Sequence, residues 1–301
     1  MQVGLMAPQG WKGEYDGWDP AAAWTRTVEL ATQAEELGFE SLWVFDHFHT
    51  VPVPTDEITF ESFSVLSALA MTTRRVRLGH MVVCTGFRNP AHTAKLSSTI
   101  DVISGGRFEL GIGAGWKKDE WEAYGYGFPP IGERMDAFGD DLEVITRMLA
   151  PGRATYEGSH AHVRDAINVP KGIQQPRIPI IVGGNGEKRT AGYAIRFADE
   201  LNYVFLDAPE IAERMTAVRR RCEDEGRDPA TLRFSLYVRD EDVRDAGQAR
   251  VDLIGGFAAV GLDRIVAFPT RWSPTAEAQA AFARDVRAAG VELEAGVAVG
   301  A

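Results

Sequence analysis

Asp46 and His47 stand directly after a short apolar run typical of a β-strand, and no other acidic–histidine pair has such a position. A histidine gains and loses a proton near neutral pH, which makes His47 a candidate for proton transfer. We expect Asp46 either to fix the tautomer of His47 or to hydrogen-bond the edge of a cofactor. The alternative is a histidine that caps the next turn. Because no third ligand follows at a diagnostic spacing, no metal site is predicted.

Glycines concentrate at the ends of two other predicted strands. One group closes the segment 101–116, which ends in Gly113-Ala114-Gly115-Trp116, and the other is Gly183-Gly184-Asn185-Gly186. Backbone without side chains can approach a ligand closely, and the amides that open a helix attract anions. We expect both groups to hold the phosphate of a bound cofactor, although a tight turn between strand and helix explains the glycines equally well. Glu187 follows where a P-loop has lysine, so the phosphate would not be a transferred one.

Strand and helix patterns alternate along the chain, and the predicted strands are rich in Val, Ile, Leu and Phe, as in strands buried on both faces. The predicted strands are Val3–Met6, Ser41–Phe45, Val76–Val83, Phe108–Ile112, Ile178–Val182, Leu201–Phe205, Leu232–Val238 and Arg264–Phe268. The predicted helices are Ala21–Leu37, Ser62–Thr73, Ala91–Ile103, Gly132–Leu149, Glu187–Ala198, Pro209–Glu225, Asp242–Val260 and Pro274–Ala289. This alternation favours an α/β fold of the (β/α)8 TIM barrel type. A doubly wound open sheet is the alternative, but no glycine-rich dinucleotide turn follows the first strand.

Two segments exceed what a minimal barrel requires. Residues 117–130, after the fourth strand, are rich in aromatic residues, proline and glycine. Residues 153–176, between the fourth helix and the fifth strand, include a candidate hairpin. Long insertions in compact domains are usually lids, binding loops or subunit contacts. No linker or low-complexity tract divides the chain, so residues 1–301 are expected to form one domain.

The composition restricts the partners of the protein. A net charge of −11 without a basic run argues against nucleic acid. Cys84 and Cys222 are the only cysteines, too few for a disulfide framework, and a cytoplasmic location is expected. The first residues lack the features of a signal peptide, and no apolar run is long enough to cross a membrane.

Several of these segments together resemble the luciferase-like monooxygenase superfamily. The resemblance rests on Asp46-His47-Phe48, Arg88-Asn89-Pro90, the segments 101–116 and 178–190, and Gly261-Leu262-Asp263-Arg264-Ile265. Within that superfamily the chain is most similar to the branch that uses coenzyme F420, an 8-hydroxy-5-deazaflavin. The resemblance implies a (β/α)8 barrel with the deazaflavin across the mouth formed by the carboxyl ends of the strands.

The resemblance also implies a set of cofactor-binding residues near the strand ends. These are Asp46, His80, Met81, Val82, Gly113, Ala114, Gly115, Gly183, Gly184 and Asn185. A cis peptide bond that does not involve proline is expected at Met81-Val82, beneath the ring. His80 stands where related reductases commonly carry threonine, and is expected to be either a polar group under the ring or a packed core residue.

The sequence departs from the sugar-phosphate dehydrogenases of this superfamily directly after the glycines of the fourth strand. Those enzymes carry an acidic glutamate there, whereas this chain carries Trp116. A small apolar or aromatic substrate is therefore expected. Four aromatic residues are candidates for the substrate pocket, with a place in the core as the alternative: Trp11, Phe48, Trp116 and Trp121.

These expectations combine into an F420-dependent oxidoreductase. It would transfer a hydride between C5 of the deazaflavin and an activated C=C or C=N bond, with His47 donating a proton or orienting the ring. One alternative is an FMN-dependent monooxygenase supplied by a partner flavin reductase, and another is a non-catalytic cofactor-binding barrel. Barrels of this superfamily are often dimers, so a homodimer is expected by analogy.

Overall fold

The computed structural model of the chain describes residues 1–294, and within them strands and helices alternate almost throughout. The strands are β1 (Gln2–Met6), β2 (Ser41–Val44), β3 (Arg77–His80), β4 (Val83–Cys84), β5 (Phe108–Gly113), β6 (Ala154–Glu157), β7 (His162–Ala166), β8 (Ile180–Gly183), β9 (Glu200–Val204), β10 (Arg233–Tyr237) and β11 (Arg264–Ala267). The helices are α1 (Pro20–Leu37), α2 (Ser62–Thr72), α3 (Pro90–Ser104), α4 (Lys118–Ala123), α5 (Ile131–Leu149), α6 (Arg189–Phe197), α7 (Ala208–Asp224), α8 (Gln248–Ala259) and α9 (Ala276–Ala288).

Nine strands form one parallel sheet in the order β3-β2-β1-β11-β10-β9-β8-β5-β4, and a further pairing of β3 with β5 closes it into a barrel. Since β3 and β4 both pair with β5, they occupy one position in the wall, and the barrel has eight strand positions. The predicted (β/α)8 barrel is confirmed, and the open doubly wound sheet is wrong.

The structure differs from the predicted elements in three places. The predicted strand Val76–Val83 is interrupted between β3 and β4. The predicted helix Asp242–Val260 begins only at Gln248, after a short 3-10 turn at Glu241–Val243. The segment after β5 contains the short helix α4, which was not predicted. The candidate hairpin of residues 153–176 is present as the antiparallel pair β6 and β7. Among the helices of residues 1–294, none has both the length and the apolar character to span a membrane.

The amino-terminal end of the barrel is filled by a buried ionic cluster. The guanidinium of Arg264 donates hydrogen bonds to Glu109, Glu200 and Glu40 at 2.9, 3.1 and 3.0 Å. Burial alone would raise the pKa of Glu109, but neighbouring arginines, led by Arg264, lower this pKa to about 2. The indole of Trp43 lies next to the cluster, 5.1 Å from the Arg264 guanidinium. The amino-terminal end of the barrel is therefore occupied by side chains and leaves no room for a ligand there.

A bulge separates β3 from β4. Gly79 pairs with Glu109 and Val83 pairs with Ile112, so four steps along β3–β4 face three steps along β5. One extra residue therefore lies in this wall of the barrel, which is the definition of a β-bulge. The Met81-Val82 peptide bond within the bulge is cis, at the position that the sequence predicts.

Glycines on the neighbouring strands make room for this bulge. A methyl group at Gly111 would collide with the carbonyl oxygen of His80. At Gly113 and Gly183 a methyl group would lie 3.0 and 2.9 Å from the side chain of Val82. These glycines of β5 and β8 thus accommodate the bulge, and they allow Val82 to lie close to two neighbouring strands.

We predict that Gly111→Ala destabilises the protein by about 3 kcal/mol, because the new methyl group meets backbone atoms that cannot rotate away. Gly132→Ala is the matched control, since no atom lies within 4 Å of a methyl group there. This helical substitution should leave the free energy of unfolding unchanged or raise it by up to about 1 kcal/mol. Urea unfolding of both variants measures the difference, and equal stabilities would contradict the packing of the bulge described above.

Candidate active site at the barrel mouth

A cavity of about 460 Å³ opens at the carboxyl ends of the barrel strands. Of the residues that the sequence predicts for the site, the cavity is bordered by Trp11, Asp46, His47, Met81, Val82, Gly113, Ala114, Gly115, Trp116, Trp121, Gly183 and Gly184. Three predicted residues do not border it: Phe48, His80 and Asn185. The fold therefore brings most of the predicted set together, from five different strand ends.

His47 lies at the end of β2 between a carboxylate and an indole ring. Its Nδ1 is 2.6 Å from Oε2 of Glu120, which is fully buried on α4. The ring of Trp11 stacks on the imidazole with centroids 4.0 Å apart and planes 7° apart. A carboxylate accepts hydrogen bonds only, so we assign the proton of neutral His47 to Nδ1, which leaves Nε2 free to accept or return a proton.

Glu120 is a functional candidate that the sequence did not reveal. Its other oxygen accepts the backbone N–H of Phe48 at 2.5 Å, so one carboxylate fixes both the ring and the backbone of this turn. The only signal in the sequence was a group of acidic residues in the aromatic segment after β5. Helical geometry decides among them, because Glu120 is buried while Asp119 and Glu122 are exposed.

Asp46 does neither of the two things expected of it. Its carboxylate forms a bidentate pair with Arg88 at 2.7 and 2.8 Å. It also accepts hydrogen bonds from the Ser62 hydroxyl and the Cys84 backbone N–H, both at 2.9 Å. Four hydrogen bonds use its acceptor capacity, so no lone pair is left for a cofactor edge, and Glu120 holds the tautomer of His47. Asp46 instead links the ends of β2 and β4 to Arg88 by hydrogen bonds, and Arg88 lies shortly before α3.

His80 is a core residue and not a polar group under a cofactor ring. The last residue of β3 is fully buried and packs between Phe63 and Phe108, with ring centroids at 4.3 and 5.8 Å. Neither ring nitrogen has a hydrogen-bond partner. Burial, with a smaller contribution from the nearby Arg88, lowers the pKa of His80 to about 3. Of the two expected roles, the packed core residue is the one observed, because the side chain faces Phe63 of α2, on the opposite side of the wall from the cavity.

Two further predicted residues lie outside the cavity border. Phe48 packs against Phe87 and Tyr124, with centroids at 4.7 and 4.5 Å, which is the core position given as its alternative. The side-chain amide of Asn185 is bonded to the backbone N–H and carbonyl of Val204, at 3.0 and 2.9 Å, so only its backbone amide stays a candidate for the phosphate.

One of the backbone N–H groups predicted to hold the phosphate already has another partner. The backbone N–H of Gly184 donates to the carbonyl of Asn202 at 2.9 Å and cannot hold a phosphate. The hydroxyl-bearing Thr190 of α6, which the sequence did not single out, borders the cavity near these glycines.

The cavity also borders a charged group that sequence reasoning missed. Lys12, in the loop after β1, borders the cavity together with Tyr237 from the end of β10. Its ammonium pairs with Asp240, lies 3.1 Å from the Tyr237 hydroxyl and lies 5.5 Å from the ring of Trp11, which stacks on His47. The largely apolar cavity thus has polar positions at His47 and at Lys12, and Lys117, Thr190 and Asn202 are further polar residues on its border. Within residues 1–294 no cluster of His, Cys, Asp and Glu suits a metal ion.

Comparison with known proteins agrees with this geometry. The family model for luciferase-like monooxygenases matches residues 1–288. An F420-dependent glucose-6-phosphate dehydrogenase from Kineococcus radiotolerans is 33% identical over 173 residues, which are 56% of this chain and 50% of that enzyme. The pyrimidine monooxygenase RutA from Stutzerimonas stutzeri is 29% identical over 258 residues, which are 80% of this chain and 69% of that enzyme. This chain thus spans half the length of the first relative.

Solved structures share the fold at low sequence identity. An F420-dependent secondary alcohol dehydrogenase in complex with an F420–acetone adduct superimposes with a TM-score of 0.79 and 18% identity, covering 96% of this chain and 98% of that one. A riboflavin lyase with modified FMN and riboflavin gives a TM-score of 0.80 at 13% identity, covering 99% and 94%. At such identities the likeness establishes the barrel fold alone.

The buried His80 makes the stability of the protein sensitive to acid. Its folded-state pKa of about 3 lies below the ordinary value of 6.5. The contribution of neutral His80 to the free energy of unfolding is therefore complete above pH 6.5 and is lost as the pH falls toward 3. Between pH 7 and pH 5 this loss amounts to about 2 kcal/mol. We predict that His80→Leu, which keeps the apolar contacts, removes this part of the pH dependence of the unfolding free energy.

Urea unfolding of the wild type and His80→Leu at pH 7 and pH 5 measures this difference. His92→Ala on the exposed face of α3 is the control and should behave like the wild type. The same acid response in the wild type and in His80→Leu would show that His80 is not buried in its neutral form.

Proposed function

Because the chain belongs to the luciferase-like monooxygenase family, we propose that it is an oxidoreductase that binds coenzyme F420 at the barrel mouth and acts on a small apolar or aromatic substrate. When bound, this cofactor supplies a carbon centre that accepts or delivers a hydride. The observation that carries the proposal is the His47–Glu120 pair, which lies at one polar position of an otherwise apolar cavity whose wall contains the Met81-Val82 bulge.

The cavity fits a flat cofactor with a polar edge. Its volume of about 460 Å³ falls within the range of about 300–1,000 Å³ that small-molecule sites occupy. Met81 and Val82 would contact the ring, and Gly113-Ala114-Gly115 would follow its side chain. The buried indole N–H of Trp121 borders this part of the cavity and has no acceptor within the described residues. Thr190, which borders the cavity from α6, is the hydroxyl group that we propose near the phosphate.

His47 is proposed to exchange a proton with the substrate through Nε2. The hydrogen bond from Nδ1 to Glu120 holds the imidazole in one orientation, and the stacked Trp11 limits its rotation. When doubly protonated, the ring donates from Nε2, and when neutral it accepts there. Glu120 is a positioning residue in this account. The apolar walls exclude water, which strengthens each of these polar contacts.

The activities of the relatives do not all transfer to this chain. The glucose-6-phosphate dehydrogenase matches over half of its length, and we do not propose a sugar phosphate because Trp116 borders the cavity directly after the glycines. The match to a pyrimidine monooxygenase over 80% of the chain makes an FMN-dependent monooxygenase the second candidate. A homodimer stays a prediction.

Cofactor titration separates the two candidates. We predict that the purified apoprotein binds coenzyme F420 at least about tenfold more tightly than FMN, a difference of about 1.4 kcal/mol. Quenching of tryptophan fluorescence is a suitable signal, because Trp11 and Trp121 border the cavity. A preference for FMN would contradict the proposed cofactor and favour the monooxygenase.

Variants of the His47–Glu120 pair test the proposed roles. His47→Ala should bind coenzyme F420 as the wild type does, yet lose most of the turnover of reduced F420 with enone and imine acceptors. Glu120→Gln should shift the histidine tautomer, which ¹⁵N NMR detects independently of turnover. His92→Ala is the exposed control. Full activity in His47→Ala would remove His47 from the mechanism, and an Nε2–H tautomer in the wild type would contradict the role of Glu120.

A further inference from the structure

We propose that Lys12 binds a carbonyl oxygen of the substrate, so that the second polar position of the cavity selects acceptors in which a carbonyl group activates the reacting double bond. This inference rests on the proposed function, since it names the substrate class of the same cavity. It is carried by the surroundings of Lys12, by an unpaired indole N–H next to it, and by the charge balance of this wall.

The backbone of the loop that carries Lys12 is held by hydrogen bonds to Glu14. The buried carboxylate of Glu14 accepts the backbone N–H groups of Gln9, Gly10 and Lys12 at 2.8, 2.7 and 2.9 Å. Three hydrogen bonds to one carboxylate fix the turn between β1 and α1. These bonds set the backbone position of Lys12, and Asp240 and Tyr237 hold the ammonium at the end of its side chain.

The Lys12 ammonium has one more donor than the protein has acceptors for it. Its side chain is 9% exposed, and it is paired with the still more buried Asp240. The hydroxyl of Tyr237, 3.1 Å away, is the second acceptor. An ammonium carries three N–H groups, and no third acceptor for it lies among residues 1–294. The remaining neighbours are aromatic rings, with the centroids of Tyr237 and Phe45 at 5.1 and 5.3 Å.

Trp11 supplies a second, independent observation on the same wall. Trp11 is only 5% exposed, and it borders the cavity. The indole Nε1–H has no hydrogen-bond partner within the described residues. A buried donor without a partner costs free energy comparable to a lost hydrogen bond. Two donors without acceptors beside one cavity point to a ligand that brings an oxygen acceptor.

The charges on this wall favour a neutral carbonyl over a carboxylate. Lys12 is balanced by Asp240, and Arg271, which also bonds Asp240 at 2.8 Å, has Glu241 as a further partner at 3.1 Å. Two cations thus face two anions, and a carboxylate would add an uncompensated negative charge to a buried site. Burial lowers the pKa of Lys12, and Asp240 opposes this change. A neutral oxygen accepts the free N–H without disturbing this balance.

This contact would also explain how the double bond becomes reactive. Bound F420 would supply the hydride that adds to the β-carbon of an enone, with a C–H bond formed and the C=C π bond broken. The electron pair would move onto the carbonyl oxygen, where the Lys12 ammonium would offset the negative charge. A proton from His47 would then add to the α-carbon and restore the carbonyl group.

Three ligands of similar shape test this assignment in protein loaded with oxidised F420: acetophenone, α-methylstyrene and benzoate. The first two differ by replacement of C=O with C=CH2, and benzoate adds a charge. Ligand-observed NMR gives each Kd. Lys12→Met should weaken acetophenone about tenfold, as expected for a lost hydrogen bond to a charged donor, and change α-methylstyrene by less than about twofold.

Two control variants keep the result interpretable. Tyr237→Phe removes a neighbour but leaves the ammonium and its charge, so acetophenone should bind within about threefold of the wild type. Lys118→Met removes an exposed lysine of α4, whose side chain is 64% exposed, and should change no Kd. Equal losses for acetophenone and α-methylstyrene in Lys12→Met would overturn the proposal, as would a wild type that binds benzoate most tightly of the three.

The same titrations without F420 separate this proposal from the proposed function. If F420 fails to bind but acetophenone alone still depends on Lys12, the carbonyl site stands and the cofactor assignment is wrong. If F420 binds and Lys12→Met does not weaken acetophenone selectively, the carbonyl site is wrong and the cofactor assignment stands.

Discussion

The mouth of this barrel depends on the fit between one bulge and three glycines. The extra residue between β3 and β4 brings the carbonyl of His80 and the side chain of Val82 against β5 and β8. Any side chain at Gly111 would occupy the same space as that carbonyl, so the barrel closes only because β5 has none there. Met81 and Val82 in this bulge border the cavity from below. The bulge also separates β3 from β4, the strand that carries Cys84.

Two polar positions with different chemistry border this cavity. On one side, Glu120 holds His47 in a single orientation for proton exchange. On the other, Asp240 and Tyr237 hold the buried ammonium of Lys12. Trp11 adjoins both positions, since its ring stacks on His47 and lies 5.5 Å from the ammonium. Asp46 takes part in neither position, since its hydrogen bonds with Arg88 tie the strand ends together.

The sequence predicted the fold well because strand and helix patterns depend on near neighbours. The barrel, the place of the bulge and most of the residues around the cavity follow from local patterns and from the family resemblance. What it could not predict are the partners: His47 and Glu120 are 73 residues apart, and Lys12 and Asp240 are 228 residues apart. Side-chain direction was also missed. His80 and Asp46 lie at the expected strand ends. The His80 side chain faces away from the cavity, and the Asp46 carboxylate is bound in an ion pair with Arg88.

We propose that this cavity is the site of a flat cofactor next to His47. A crystal structure of the protein soaked with oxidised coenzyme F420 is the decisive test. We expect the deazaflavin ring within about 4 Å of Val82 and an edge of the ring next to His47, with the Lys12 side left open for substrate. A deazaflavin bound outside this cavity, or a ring that covers Lys12 and leaves Val82 free, would contradict it.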